Sequence, residues 1–443
     1  MGQGFFPLDK ELELEPEGLT PSLVEGIVLL GSWMPFAEAA KFIGHFWKVS
    51  VSEATVRRTT EKSGEAYVEV QTAQVETLEK EMPEALQGPA LQQISVDGAM
   101  VPLLHKEWAE VKTMAIGTIE GPVVQRRERG VHAKDMSYFS RLAEHQKFSR
   151  LATVETHRRG TERAGKVCAV VDGAEWLQKF IDLHRPTPAY TGLHRPDAVR
   201  ILDWCHAAEY LAKAGQAVLG AGTAAASEWL GVELHRLKHG DPGQVLSSLR
   251  ELIKELEATG RADTEAFKTV KGSLEYLEKR REQIRYAEFQ AMGYPIGSGA
   301  VESANKLVVE MRLKGSGMHW AREHVNPMVA LRTMICSDRW EEAWPQIARR
   351  RREQTRKRAV TRAGEPGSEQ NPLASDALVQ RNTKPSLIHP TEMTPTNPEL
   401  ELTQTPKIPT DRPRRPAANH PWRRMPVGRT GSPNPAPVPG AKI

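Results

Sequence analysis

Cysteine and long apolar runs are both scarce in this sequence. Only three of its 443 residues are cysteines, and an odd, widely spaced set excludes a disulfide scaffold and a thiolate zinc site. The most apolar stretch, residues 23–47, includes Glu25, Glu38 and Lys41, which are too many charges for a membrane span of about 20 residues. The first six residues have no basic flank or cleavage site, so we expect no secretory signal and a reducing cytosol.

Apolar and charged residues are present in the proportions of a globular protein. Apolar residues make up 39% of the chain and charged residues 26%, which excludes a wholly disordered chain and a coiled coil. At about 100–200 residues per domain, the length predicts two or three domains. The net charge is only +4, so where the charges lie says more about partners than their sum.

The positive charge is concentrated near the C-terminus. Residues 351–443 contain 16 Lys and Arg against 8 Asp and Glu, together with 16 of the 31 prolines. Such a composition cannot bury a core, so we predict a basic, proline-rich disordered tail over residues 348–443. A tail of this kind binds polyanions through counterion release. A solubilising or vestigial end explains it equally well.

The N-terminal region has the spacing of a helical segment. Residues 1–19 are acidic and are predicted to be flexible, whereas residues 20–90 carry helical patterns, with a long helix from Glu53. Arg57 and Arg58 lie early in that helix, in a layout typical of a helix-turn-helix. We therefore predict a DNA-binding region here, although many helical pairs that bind no DNA have the same layout.

From residue 91 the apolar period changes to that of strands. Strand-like segments lie at residues 92–97, 107–117, 123–126, 166–172 and 198–203. Helical composition over residues 134–164 and 174–183 separates the last three of them. Three meandering strands followed by βαβ units predict an α/β protein with a mixed five-stranded sheet, in the strand order of the ribonuclease H-like fold.

The remainder of the chain is predicted to be helical. Residues 205–292 are rich in Ala, Leu, Glu and Lys and would form a helical insertion after the fifth strand. Helices are also predicted over residues 300–313 and 322–347. The ribonuclease H-like core would then comprise residues 91–204 and 293–347.

Three acids stand at places where chemistry is expected. Asp97 is predicted to end the first strand, Asp172 ends the fourth, and Glu302 lies in the first turns of the helix after a Gly-Ser-Gly turn. Because the first and fourth strands are neighbours in this topology, the two aspartates would face each other at one sheet edge. Carboxylates suit Mg²⁺ or Mn²⁺, and two such ions stabilise the attacking and leaving oxygens of a phosphoryl transfer. Each acid alone is also explained by turn or helix-dipole preferences.

Further candidates flank these acids. Asp203 and His206 open the helix after the fifth strand, where they would orient the site or bind phosphate, or else form a helix cap and a core histidine. Four residues that follow Glu302 are candidates for contact with DNA, and each has a structural alternative as solvated or packing surface: Arg312, Lys314, Trp320 and Arg322.

Four segments carry a resemblance to a known family. They are ISVDGAMVP at 94–102, VVDGAEW at 170–176, DWCHAAEYL at 203–211, and GYPIGSGAVESAN at 293–305, which continues into RLKGSGMHW at 312–320. Together they resemble the DDE transposases of bacterial insertion sequences, in the group related to Mutator-like elements. The resemblance extends over about residues 20–345, and its last segment is the most specific.

The resemblance implies a function and a set of roles. Asp97, Asp172 and Glu302 would hold Mg²⁺ or Mn²⁺ in a two-metal site, and Asp203 with His206 would form the acid-x-x-histidine motif of the group. The protein would cleave DNA at the ends of an insertion sequence and transfer the strands into target DNA. We expect a homodimer or higher assembly on DNA, in the bacterial cytoplasm near the nucleoid.

Two features depart from the family pattern and keep alternatives open. Leu-His-Arg-Pro at 183–186 recurs at 193–196, so the loop 187–196 is interpreted as a local addition that could displace the strand bearing Asp203. The basic tail is not part of the family core. A catalytically inactive DNA-binding protein derived from a transposase, and a metal-dependent nuclease without strand transfer, are the alternatives.

Overall fold

The described part of the chain consists of five stretches. The computed structural model describes residues 18–81, 83–120, 123–125, 128–182 and 197–364. The loop 187–196, most of the N-terminal segment 1–19 and the tail beyond residue 364 lie outside these ranges. Among the described residues, no helix is long and apolar enough to cross a membrane.

Three helices form the N-terminal region: α1 (Pro21–Trp33), α2 (Phe36–Phe46) and α3 (Glu53–Glu81). Thr20 Oγ1 accepts a hydrogen bond from the Leu23 amide at 3.3 Å and so caps α1. Ser52 Oγ caps α3 by accepting from the Thr55 amide at 3.1 Å. The long helix α3 ends at Glu81, two residues before Pro83.

The centre of the fold is a mixed five-stranded sheet, as predicted. Its strands are β1 (Leu91–Pro102), β2 (Trp108–Ile119), β5 (Ala133–Arg141), β6 (Lys166–Val171) and β7 (Val199–Leu202). The spatial order is β5-β2-β1-β6-β7. Pairs β1–β2 and β2–β5 are antiparallel, whereas β1–β6 and β6–β7 are parallel. The first strand of the sheet is therefore next to the fourth.

The third strand of the sheet lies later than predicted. We expected it from Val123 and expected a helix over residues 134–164. Instead, β3 (Val123–Gln125) and β4 (Glu128–Gly130) pair in a separate two-stranded sheet, and the helix is only α4 (His145–Arg158). The prediction was wrong because pairing with β2 and burial of residues 137–141 outweigh the polar local composition of β5.

Helices cover both faces of the sheet. After β6 comes α5 (Glu175–Asp182), which packs with α4 on the side of Ile94 and Val96. After β7 come the insertion helices α6 (Trp204–Leu219), α7 (Ala224–His239), α8 (Pro242–Ala258), α9 (Glu265–Lys279) and α10 (Tyr286–Ala291). Their leucines pack against Val170 and Ile201, so the insertion shares one apolar core with strands β6 and β7.

The C-terminal helices are more broken than predicted. The first segment consists of α11 (Gly299–Ala304), a π-helical turn (Asn305–Glu310) and α12 (Met311–Leu313). The second consists of α13 (Arg322–Cys336) and α14 (Trp340–Gly364), separated where Asp338 adopts φ 54°. A non-glycine residue in that conformation cannot continue a right-handed helix.

The last helix joins the N-terminal region to the rest of the fold. It continues past residue 348, where we expected the disordered tail to begin. Arg351, which lies within that expected tail, donates from Nη1 to the Thr59 carbonyl of α3 at 3.0 Å. Helix α3 also packs against α13, where Gly64 lies directly against the backbone of Pro327. The DNA-binding region predicted for residues 20–90 is thus packed on α13 and α14.

Candidate active site

The parallel pairing of three neighbouring strands stops at the same level of the sheet. Val96 of β1 pairs with Val171 of β6, and Val171 pairs with Leu202 of β7. The next residue along each chain segment is an aspartate: Asp97, Asp172 and Asp203. The carboxyl edge of a parallel sheet is where α/β proteins bind ligands. The fold therefore places three acids side by side at the edge where a site is expected.

Asp97 does not end its strand, contrary to the prediction. Strand β1 continues to Pro102, and the continuation pairs only with β2, beginning at Gly98 with Lys112. The pairing with β6 stops at Val96. Asp97 is therefore the first position of β1 that is free of β6 on one side, while β2 still holds its backbone on the other.

The fourth acid reaches the same place from a helix. Asp97, Glu302 and Asn305 line one cleft of about 320 Å³. Ser298 Oγ donates to Glu302 Oε1 at 3.1 Å, and Asn305 Nδ2 donates to Asp97 Oδ2 at 3.1 Å. Asn305 begins the π-helical turn, a feature often found at functional sites. The turn thus links the helix of Glu302 directly to the first strand.

The acids influence one another electrostatically. The pKa of Asp97 is raised above its usual value, first by burial and then by the negative charges of Asp172 and Glu302. The Gly98 amide and His206 act in the opposite direction. Carboxylates that disfavour one another's ionisation are stabilised by a cation placed between them. The electrostatics therefore favour a bound cation at this edge.

Asp203 connects the sheet edge to the helix of Glu302. Its side chain is buried and accepts from the Ser298 amide at 2.6 Å, and from the His206 amide and Nδ1 at 3.1 and 3.2 Å. Burial alone would raise the pKa of Asp203, but the hydrogen bonds from His206 and Ser298 outweigh it and lower that pKa. The hydrogen bond to Asp203 is also the main cause of the raised pKa of His206.

His206 is not a core histidine. Its side chain is 43% exposed, while its Nδ1 is held by Asp203 at 3.2 Å. The Asp203 carboxylate therefore has both of the roles that the sequence left open, since it caps α6 and orients the imidazole of His206. The other ring nitrogen remains available for a ligand.

The donor set suits a hard divalent cation, but the ligands are not gathered. Among residues 18–364 that are described, no group of three or more His, Cys, Asp and Glu is placed to hold a metal ion. Asp97, Asp172 and Glu302 nevertheless offer the carboxylate oxygens that Mg²⁺ and Mn²⁺ prefer. Asn305 Oδ1 is buried without a described hydrogen-bond partner, and buried oxygens normally have one. The chemistry of the residues fits the ion, with Asn305 as an additional oxygen.

The residues predicted to contact DNA divide into exposed and buried ones. Arg57 and Arg58 on α3 and Arg322 at the start of α13 are exposed. Lys314 lines the cleft of Asp97 and pairs with Glu310 at 2.7 Å. These four cations remain candidates for phosphate contacts.

Arg312 and Trp320 are placed inside the protein instead. Arg312 is 2% exposed, donates from Nε to the Gly31 carbonyl at 3.0 Å, and lies 4.5 Å from the ring of Phe36. Trp320 is 7% exposed and donates from Nε1 to the Leu313 carbonyl at 3.1 Å. Both side chains are almost wholly buried, and they hold α1 and α2 against residues 311–320.

Several residues at the site were not singled out from the sequence. Asn305 had a usable signal, since it follows Glu302 by three positions on one helix face. Lys112 is paired in register with Gly98 and lies 5.7 Å from the Trp176 ring. Lys112 is brought near the site by the pairing of β1 with β2, and the residues around Lys112 in the sequence do not indicate this pairing.

Comparisons with known proteins add little to this geometry. A scan against protein-family models finds no match, and a search of curated proteins finds none either. Among solved structures, the Drosophila P element transposase strand transfer complex is similar with a TM-score of 0.24 and 9% sequence identity, over 82% of this chain and 91% of that chain. A likeness at this level establishes neither a shared fold nor a shared activity.

Proposed function

We propose that the chain is a DNA transposase of the DDE type, similar to those of bacterial insertion sequences. The observation that carries the proposal is the arrangement of acids. Asp97 and Asp172 follow paired positions of adjacent parallel strands, and Glu302 shares the cleft of Asp97. The strand order, with three antiparallel strands beside two parallel ones, is the order expected of a ribonuclease H-like core.

The proposed site would hold two divalent ions. Asp97, Asp172 and Glu302, with Asn305 as an oxygen ligand, would bind Mg²⁺ or Mn²⁺. When bound, the ions would supply charge neutralisation at the attacking oxygen of water or a 3′-hydroxyl and at the leaving oxygen of the phosphodiester. The protein itself forms no covalent intermediate in this proposal. Its residues position the ions, the DNA and the nucleophile.

Asp203 and His206 support the same chemistry without binding the ion. Asp203 holds the turn before Glu302 through the Ser298 amide, and it holds the imidazole through Nδ1. Because the pKa of His206 is raised, the protonated ring persists to higher pH than an ordinary histidine. It would then contribute positive charge where a phosphate approaches the acids.

The DNA partner would be held by cations outside the acid cluster. Arg57, Arg58 and Arg322 are exposed and would contact the phosphate backbone, with Lys314 inside the cleft. Contacts of this kind position DNA without selecting its sequence. We further propose that the chain acts as a homodimer or higher assembly on DNA, since two element ends must be joined in one complex.

The test is a cleavage and strand-transfer assay with the full-length protein. The probe is DNA carrying the two flanks of the gene that encodes the chain, with Mg²⁺ or Mn²⁺ and a supercoiled plasmid as target. We expect metal-dependent nicks and joined products that disappear in Asp97→Asn and Glu302→Gln while end binding persists. Glu310→Gln is the matched control, because it neutralises a carboxylate of the same cleft outside the proposed ligand set. Retained cleavage with lost binding in Asp97→Asn would refute the assignment.

A second candidate is a DNA-binding protein without catalysis, derived from a transposase. The observation in its favour is that no group of three ligands is gathered among the described residues. Tight binding of the flanking DNA with no products under either metal would support this candidate. Nicks without joined products would instead indicate a metal-dependent nuclease.

A further inference from the structure

The turn that carries Asp172 has a neighbour from a distant part of the chain. Strand β6 ends at Val171, and Gly173 adopts φ 82°, a conformation that favours glycine. Asp172 Oδ1 accepts from the Ala174 amide at 2.8 Å. Through this bond the position of the carboxylate follows the path of the turn backbone. Whatever fixes the turn therefore also fixes the carboxylate.

Two side chains from the end of the insertion hold the carbonyl groups of this turn. Tyr276 donates from its hydroxyl to the Asp172 carbonyl at 2.6 Å, and Arg280 donates from Nη2 to the Gly173 carbonyl at 2.7 Å. Consecutive carbonyls fixed in this way leave the two peptide planes little freedom. The contacts link residues 104 and 107 positions apart in sequence.

Tyr276 and Arg280 are themselves fixed as a stacked unit. The Arg280 guanidinium lies 3.7 Å from the centre of the Tyr276 ring and donates from Nη1 to the Tyr276 carbonyl at 3.0 Å. Tyr210 of α6 stacks on the Tyr276 ring, with ring centres 3.8 Å apart. Two helices of the insertion thus hold the pair before any ligand is present.

The same segment lies directly against Gly173 in the turn. An added Cβ at Gly173 would lie 2.6 Å from Arg280 Nε and 2.7 Å from the Tyr276 hydroxyl oxygen. Lys279 pairs with Glu175 of α5 at the protein surface, at 3.1 Å. The insertion therefore makes specific contacts with the turn that carries Asp172.

We propose that the helical insertion positions the Asp172 carboxylate through Tyr276 and Arg280. They are positioning residues, because they touch the backbone that carries the acid and neither the acid's oxygens nor a ligand. The inference rests on the proposed function, in which Asp172 binds a divalent ion. It gives the insertion a role in presenting a ligand.

The experiment uses full-length Tyr276→Phe and Arg280→Gln variants. Each loses one bond to the turn, and Tyr210→Phe is the matched control because it removes a hydroxyl from the ring stacked on Tyr276 and keeps the stack. The first readout is hydrogen exchange of the Ala174 amide, which should accelerate about fivefold in Tyr276→Phe and about tenfold in Arg280→Gln. The control should exchange at the wild-type rate.

The second readout is binding of Mn²⁺, followed by electron paramagnetic resonance. We expect both variants to bind the ion at least about fivefold more weakly, and the control to bind it like the wild type. Unchanged exchange or unchanged Mn²⁺ affinity in the variants would overturn the inference, as would a wild type that binds no Mn²⁺. A wild type that binds Mn²⁺ but cleaves no DNA would refute the proposed function alone, since the two readouts still judge the inference without any cleavage.

Discussion

The two sides of the acid cluster are held in different ways. Asp172 lies on a turn whose two carbonyls are bound by Tyr276 and Arg280 of the insertion. Glu302 is exposed on α11, a helix of six residues that continues into a π-helical turn, and its described hydrogen bond comes from Ser298 on the same helix end. We call the first the braced side and the second the helical side.

This difference explains why suitable donors are present without being gathered. The braced side has its geometry set before an ion arrives, because its restraints come from two packed helices. On the helical side, α11 is tied to the cluster by the bonds of Asn305 to Asp97 and of Ser298 to Asp203 and buries Val301 and Ala304. The Glu302 side chain itself is exposed. We infer that ion binding would draw Glu302 toward fixed aspartates rather than the reverse.

Changing the side-chain lengths of Asp172 and Glu302 is the strictest test of this inference. Asp172→Glu adds a methylene on the braced side, where the turn cannot retreat, and we expect cleavage to fall by about 100-fold, the cost of a displacement of about 1 Å. Glu302→Asp removes a methylene on the helical side, which can follow, so cleavage should fall only about tenfold. Rates are measured in single-turnover nicking of the flanking DNA. Equal losses, or a larger loss in Glu302→Asp, would remove the distinction between the sides.

A pair of glycine substitutions tests the same distinction through stability, without a measurement of activity. Gly173→Ala forces a side chain into positive φ against Arg280 and Tyr276, and we expect the free energy of unfolding to fall by about 1–3 kcal/mol. Gly299→Ala, at the start of α11, meets no described atom within 4 Å and should change it by no more than about 0.5 kcal/mol. Urea denaturation of both variants gives the comparison. A Gly173→Ala variant as stable as the wild type would show that the turn can shift to accommodate the added methyl group.

The local sequence pattern was sufficient to predict some features of the fold and of the candidate site. The positions of the acids at one edge of the sheet could be predicted because each follows an apolar run or opens a helix, and such patterns lie within a few neighbouring residues. The third strand could not, since residues 133–141 include Lys134, Asp135 and three serines or tyrosines, and become a strand only through pairing with β2 and cover from α13.

The failures at the site have a common physical cause. Arg312 and Trp320 have the residue types of a nucleic-acid surface, but packing of α1 and α2 buries them. Tyr276 and Arg280 carry no local sign of function, because their role arises where the insertion meets a turn more than 100 positions earlier. Burial and long-range contact decide such roles, and neither is encoded in a short segment.

Asp203 joins the two sides, and its hydrogen bonds give the smallest expected effect. It follows β7 on the braced side, and it holds both His206 and the Ser298 amide of the helical side. The pKa of His206 is raised in the folded protein, first by the hydrogen bond to Asp203. The pair therefore stabilises the fold fully below the unfolded histidine pKa of about 6.5, and that contribution is lost as pH rises through the folded value. We expect His206→Asn to lower the free energy of unfolding more at pH 5.5 than at pH 9.

A double-mutant cycle separates this effect from any general cost of losing the imidazole. In an Asp203→Asn background the carboxylate that raises the pKa of His206 is gone, so His206→Asn should have a smaller effect that no longer depends on pH. Urea denaturation of the four proteins at pH 5.5, 7 and 9 measures it. A pH dependence that survives in the Asp203→Asn background would mean that other charges near His206, such as Asp172 and Glu209, control the ring. The helical side would then be coupled to the aspartates through the Ser298 amide and the Asn305–Asp97 bond, without the imidazole.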